Sequence, residues 1–151
     1  PRTDSRFLTE DMAASLPGLA AAIADTCGVE TSTTNARQVV DNSKVTDHHA
    51  LLPTASVART DFSALPSGEQ SVLRLIVARL LCAVGEPHRY AETSMTTICA
   101  GEEFSAKGKV VLDEGWKGIE RKMLGDLLGK KKESAALLPQ VEESECGILN
   151  A

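Results

Sequence analysis

Ser67-Gly68-Glu69-Gln70-Ser71-Val72-Leu73-Arg74-Leu75-Ile76-Val77-Ala78-Arg79-Leu80-Leu81-Cys82-Ala83-Val84-Gly85-Glu86-Pro87 is the stretch on which the reading of the fold turns. Leu73, Ile76, Val77, Leu80, Leu81 and Val84 recur at the three- and four-residue spacing that puts apolar side chains on one helical face, with Arg74 and Arg79 off that stripe. Ser67 and Gln70 stand where a capping box wants them, and Gly85-Glu86-Pro87 ends the helix. Beyond Pro87 the pattern changes. Thr93 to Ala100 is rich in Thr, Met and Ile, as a strand is, Gly101-Glu102-Glu103 reads as a turn, and Phe104 to Leu112 reads as the partner strand.

Upstream of Ser67 the chain reads as short helices. Thr9 is the expected N-cap of a first helix, with Glu10 and Asp11 in its first turn, where carboxylates suit the helix dipole. Leu16-Pro17-Gly18 is expected to interrupt it, and an Ala-rich helix from Leu19 to Thr26 to end at Gly28. A short helix follows over Ala36 to Val40, capped by Thr34 or Asn35, and then a loop from Asp41 to Thr60. Past Asp113-Glu114-Gly115, a second turn signal, Met123 to Leu128 reads as helical, Lys130-Lys131-Lys132-Glu133 as an exposed loop, and Leu137 to Val141 as one more strand. The expected class is α+β, a helical part over 1–86 followed by a strand-rich part over 87–151.

Composition narrows the function classes. With 42% hydrophobic and 25% charged residues, the chain has the make-up of a globular protein. No run of about 18 apolar residues offers a transmembrane helix, so no membrane partner is expected. Pro1-Arg2-Thr3-Asp4 is no signal peptide and carries no starting Met, which reads as a piece of a longer protein. Cys27, Cys82, Cys99 and Cys146 are far apart with no C-x-x-C pair, against a zinc ribbon or redox dithiol and in keeping with a cytoplasmic protein. The net charge of −5 counts against a free-standing, non-specific DNA binder, because phosphate neutralisation supplies most of that affinity.

Three segments carry candidate chemistry. In Pro1-Arg2-Thr3-Asp4-Ser5-Arg6, the proline disfavours helical backbone for whatever precedes it, so the chain comes in extended. Residues two apart then share a side, and Arg2 would face with the residue before Pro1. Were that residue a nucleophile attacking a phosphodiester, the guanidinium would be placed to grip the phosphate. The plainer alternative is a turn before a helix. In Lys44-Val45-Thr46-Asp47-His48-His49, a histidine can hold a phosphate oxygen. A metal site or a loop with two solvated histidines are the alternatives, the metal site lacking a visible third ligand. Lys107 and Lys109 share a strand face that either meets DNA or is merely solvated. Trp116 and Tyr90 read as packing residues, Tyr90 without a cation partner.

These motifs, in this order and spacing, resemble the type IA DNA topoisomerases, bacterial topoisomerase III-like. That family reads Y-P-R-T-D-S-R-[YF]-L around its nucleophile, and P-R-T-D-S-R-F-L stands at 1–8. It reads D-H-H-A-I-I-P-T downstream, and D-H-H-A-L-L-P-T stands at 47–54. Its next helix pattern is matched from Leu65 to Leu81, and F-x-A-x-G-K-V-V-L-x-x-G-W from Phe104 to Trp116. The resemblance implies single-strand cleavage and religation through a 5′-phosphotyrosine without ATP. It implies catalytic roles for Arg2 and His48, DNA contacts from Arg2, Ser5, Lys44, His48, His49 and Lys107, and loop-fixing positions at Asp4 and Ser5. It also implies that 1–86 is part of a helical catalytic-tyrosine domain and 87–151 part of a β arch domain.

The matching tyrosine would precede Pro1, and the acidic Mg²⁺-binding domain is not among these residues. The expectation is therefore a segment inactive alone, with no metal or cofactor of its own, Mg²⁺ in the parent enzyme, and weak single-stranded DNA binding. Its partners would be the remaining domains of the parent, in a cytoplasmic, nucleoid-associated setting. A DNA- or protein-interaction module on such a scaffold, and a metal-dependent hydrolase using His48 and His49, are the competing classes.

Overall fold

The computed structural model describes residues 2–33 and 35–129. Three α-helices, α1 (Leu16–Thr26), α2 (Ser67–Val84) and α3 (Trp116–Leu128), and two strands, β1 (Arg89–Cys99) and β2 (Glu102–Asp113), are joined by short 3-10 turns. The fold is α+β, with α1 and α2 first, then a two-stranded antiparallel hairpin, then α3. By contact the chain divides into two units, one of residues 1–89 and 113–131, the other containing the hairpin from Tyr90 to Leu112.

In the first unit the apolar stripe of α2 is the centre of the core. Val77, Leu80, Leu81 and Val84 are buried together with Ala78, while Leu73 packs from the edge. Leu16, Ala20 and Ile23 from α1 and Ile119, Met123 and Leu124 from α3 complete the same core. Arg74 and Arg79 tie α3 down beside it. The Arg74 guanidinium donates to both oxygens of Asp126 at 3.0 and 2.9 Å and to the Met123 carbonyl at 2.6 Å, and Arg79 donates to Glu120 at 2.9 Å.

Several boundaries differ from the sequence expectation. Pro17 does not interrupt a helix. It lies in the first turn of α1, where a missing N–H costs nothing, so the helix starts at Leu16. The first expected helix shrinks to a 3-10 turn over Glu10–Met12, and the Thr9 side chain makes no capping bond. Ser67 is not the N-cap of α2. Extended backbone at Pro66 (φ −53°, ψ 143°) makes Pro66 the cap and moves Ser67 into the helix, so the capping box does not form. The expected loop after Asp41 carries 3-10 turns over Asn42–Lys44 and Ala55–Arg59.

The third helix is twice as long as the Met123 to Leu128 reading. Gly115 (φ +48°) starts it, and a Cβ there would run into the Pro87 carbonyl. Bonds from Trp116 N–H to the Glu86 carbonyl (2.8 Å) and between His88 Nδ1 and the Glu114 carbonyl (3.1 Å) hold 113–116 against 86–88. This is how α3 comes to belong with the helical unit, a return that a division at 86/87 does not anticipate.

The hairpin has its own logic. Ala100 (φ +52°) and Gly101 (φ +86°) are both left-handed, the signature of a two-residue type I′ turn. Glu102 and Glu103 are therefore strand residues rather than turn residues. With Cys99 opposite Glu102, the same register puts Tyr90 and Lys109 on one face, and the Lys109 ammonium lies 3.3 Å from the Tyr90 ring centroid. Tyr90 thus has the cation partner that its sequence context did not suggest. Thr34 as a cap, the Lys130–Glu133 loop and the Leu137–Val141 strand lie outside the described residues.

Candidate nucleic-acid interface

Residues 2–8 run extended, and their exposure alternates: Arg2, Asp4 and Arg6 face solvent while Thr3, Ser5 and Phe7 turn inward to a buried Leu8. The inward residues dock the segment on the 39–50 loop. Leu8 N–H donates to the Val39 carbonyl at 2.8 Å, Asp41 N–H returns to the Leu8 carbonyl at 3.0 Å, and the two chains form a one-residue parallel bridge, Leu8 with Val40. Ala50 N–H donates to the Phe7 carbonyl at 2.8 Å. Thr3 Oγ1 donates to the His48 carbonyl at 3.2 Å, and Ser5 Oγ to the Lys44 carbonyl at 3.1 Å. The first two motifs, forty residues apart in sequence, are one surface in space.

Each expected residue then has a definite setting. Arg2 and His48 are exposed, and the residue next to Arg2 is bonded to the backbone of His48. His49 is half-buried with Nδ1 donating to the Ala50 carbonyl at 2.6 Å, so one ring nitrogen is already committed. Ser5 fixes the loop, its hydroxyl also accepting from Phe7 N–H at 3.1 Å. Among the described residues Asp4 makes no side-chain bond to it. Its side chain faces solvent, and the bonds that hold the segment come from Thr3 and Ser5. Lys44 is exposed, but its ammonium lies 3.2 Å from Asp41 Oδ2 and 4.5 Å from the Phe7 ring centroid. A phosphate contact from Lys44 has to compete with that carboxylate. Lys107 is exposed on β2, in the hairpin unit.

The brace around this surface lies outside the motifs that the sequence brings forward. Asp41 caps the turn after it, its carboxylate accepting from Ser43 N–H at 3.0 Å and from the Ser43 hydroxyl at 2.6 Å. The Ser43 hydroxyl, and then Lys44, hold the Asp41 carboxyl below its ordinary range. Asn42 Oδ1 accepts from Glu10 N–H at 2.7 Å, and Glu10 is paired with Arg37. Asp followed two residues on by Ser is an Asx-turn pattern, so this part is open to reading from sequence; the cross-chain bonds are not.

Among the described residues no three His, Cys, Asp or Glu side chains converge as a metal site needs, and no helix is long and apolar enough to cross a membrane. A cleft of about 490 Å³ lies elsewhere in the helical unit, lined by Asn35, Gln38, Arg79, Cys82 and Trp116 among others. Its polar groups are already engaged: the Asn35 and Gln38 amides donate to the Gly85 and Ala83 carbonyls at the end of α2, and Arg79 pairs with Glu120. Burial, with the Glu120 charge behind it, pushes the Cys82 thiol up to about 11, which leaves it a poor nucleophile. The docked segment, unlike the cleft, carries two exposed cations without an ion pair among the described residues, Arg2 and Arg6.

A segment with an outward guanidinium is thus pinned to a histidine-bearing loop on the helical unit. The sequence matches the family described as DNA topoisomerase over residues 1–149, and the chain belongs to that family, on its type IA, topoisomerase III-like side. It is 32% identical to DNA topoisomerase 3 of Bacillus thuringiensis (strain Al Hakam) over 156 residues, covering 96% of this chain and 21% of that protein. DNA topoisomerase 3 of Shouchella clausii (strain KSM-K16) is 33% identical over 96% of this chain and 20% of its own length. The Bacillus licheniformis protein of the same name is 35% identical over 79% and 17%. The chain thus spans about a fifth of the length of the curated relatives it matches.

Proposed function

We propose that these residues form the phosphate-gripping part of a topoisomerase that cuts and reseals one DNA strand through a 5′-phosphotyrosine. In that reaction the tyrosine oxygen bonds to phosphorus, the bond from phosphorus to the 3′ oxygen breaks, and the tyrosine proton ends on the departing 3′ hydroxyl. One phosphoester replaces another, so the step needs no nucleotide energy. Arg2 holds the scissile phosphate with its planar fork and neutralises charge that grows as the tyrosine attacks. His48, on the bonded neighbouring loop, donates to a phosphate oxygen. Thr3 and Ser5 keep both in place, Lys44 and His49 serve the flanking strand, and Lys107 is a separate DNA contact on the hairpin.

The observation that carries this reading is the docking of 2–8 on 39–50, with Arg2 and His48 left outward. The Mg²⁺ that the reaction needs is held by the other domains of the parent. The 151 residues by themselves are expected not to cleave, because the tyrosine that the family motif places before Pro1 is not among them and Tyr90, their one tyrosine, lies in no matching motif. Single-stranded DNA is the substrate, the remaining domains of the parent are the partners, and the nucleoid is the place of work.

Relaxation of negatively supercoiled plasmid with Mg²⁺ tests this. The 151 residues are expected to give none, whereas the parent protein is expected to relax the plasmid. In the parent, His48→Ala is expected to reduce relaxation and His49→Ala to do so less, because Nδ1 of His49 is tied to the backbone. Relaxation by the 151 residues alone, or the reverse ranking of the histidines, overturns the reading.

A further inference from the structure

The cations of the helical unit fall into two groups. Arg37, Lys44, Arg74, Arg79 and Arg121 each sit in an ion pair with a carboxylate of the same chain. Among the described residues, Arg2, Arg6, Arg59 and Arg89 have no such pair and no side-chain hydrogen bond and are exposed, and of these only Arg2 and Arg6 share one short segment. They stand four residues apart on one side of a segment whose backbone is held by Thr3, Ser5 and Leu8. At about 3.3 Å per residue, their Cα atoms lie roughly 13 Å apart along that segment. A guanidinium on a fixed extended backbone is pre-organised for phosphate oxygens, since only its own rotamers must be ordered on binding. In a protein of net charge −5, two unspent cations in one line on one face define where a polyanion lies.

From this geometry we infer that Arg6 is a second phosphate-binding residue, holding a phosphate of the same single strand one or two nucleotides from the one gripped by Arg2. Asp4, outward between them, fixes the path: its carboxylate repels a phosphate placed directly over it, so the strand touches at Arg2 and Arg6 and bows away in the middle. The contacts are to the backbone and carry no base preference. The inference rests on the single-strand reading above.

The salt dependence of binding to a fluorescein-labelled single-stranded oligonucleotide, followed by anisotropy on the 151-residue chain, tests it. Each phosphate contact on a single strand contributes about 0.7 to the slope of log affinity against log salt. Arg6→Gln is expected to lower that slope by about 0.7, Arg2→Gln by a similar amount, and Arg6→Lys to keep it. Arg59→Gln, an exposed cation on another turn of the same unit, is expected to leave it unchanged. Asp4→Asn is expected to tighten binding. An unchanged slope for Arg6→Gln beside a reduced one for Arg2→Gln sinks the Arg6 inference and leaves the single-strand reading standing. Wild-type protein with no salt-dependent binding sinks that reading, and the inference with it.

Discussion

The helical unit and the hairpin are built on opposite terms. In the first, three helices close on one core in which Leu16, Ile23, Leu81 and Leu124 are at most 1% exposed. In the second, Ile98 is 74% exposed, Phe104 61% and Leu112 69%, and the sheet has two strands with no third beside them among the described residues. A two-stranded hairpin is marginal by itself in water, so the hairpin's sequence is written for packing and the helical unit's sequence for closure. The interface residues follow the same division. Arg2 and His48 ride on a segment clamped to a closed core, which is what fixed phosphate geometry requires, whereas Lys107 rides on a strand of the open hairpin.

The comparison is broken most easily at its cores. Leu81→Ala empties space at a fully buried site and is expected to cost about 2–5 kcal/mol in urea denaturation followed by circular dichroism. Phe104→Ala removes an exposed ring and is expected to stay within about 0.5 kcal/mol. A loss at Phe104 equal to that at Leu81 would show the hairpin face to be packed.

A smaller effect separates two glycines. Gly115→Ala puts a methyl against the Pro87 carbonyl at φ +48° and is expected to cost about 1–3 kcal/mol, with loss of helical signal from α3. Gly101→Ala, also at positive φ but with open space around it, bears the conformational cost alone and should leave the helical unit's denaturation midpoint where it is. Equal midpoint shifts for the two would remove the distinction between a tied junction and an open turn.

Smaller again is the pH dependence of the α2–α3 tie. Hydrogen bonding from Arg74 holds the Asp126 carboxyl below its ordinary value of 3.8. A carboxyl lowered in the folded state stabilises it above the unfolded carboxyl's range, and that stabilisation disappears as pH falls through the lowered value. The melting temperature of wild type should therefore exceed that of Asp126→Asn near neutrality, with the gap narrowing on acidification below about pH 4. A gap that does not change with pH would mean the pair adds no charge-dependent stability.

The sequence makes some of this plain and hides the rest for physical reasons. The α2 stripe and the stop at Gly85 are local patterns and lie where the periodicity puts them, and the hairpin is legible too, although its turn is at Ala100-Gly101 and its strands are longer than expected. Pro17 and Ser67 mislead at helix starts, because one residue of shift decides whether a proline breaks a helix or begins it, and whether a serine caps. Trp116 to Lys122 does not read as helix, since Gly118 weakens the pattern and Gly115 acts through a distant carbonyl. At the interface, the separate motifs are visible in Pro1–Arg6 and Lys44–His49. Their union through Leu8, Val39 and Val40 is not, because a one-residue bridge has no local signature. Lys44 looks free in sequence and is braced by Asp41, three residues before it, because the 3-10 turn over Asn42–Lys44 folds the two side chains together.

Arg2 is the residue on which the phosphate-gripping reading stands. Single-turnover cleavage of a labelled single-stranded oligonucleotide by the parent protein with Mg²⁺ measures its role directly. Losing one preorganised contact to the reacting phosphate costs about 2.7–4 kcal/mol, so Arg2→Ala should slow cleavage by on the order of a hundredfold or more. Arg2→Lys should stay impaired, because a point charge does not replace the two-pronged guanidinium. Cleavage by both variants at the wild-type rate would contradict the account and leave Arg2 a solvated side chain on a docked strand.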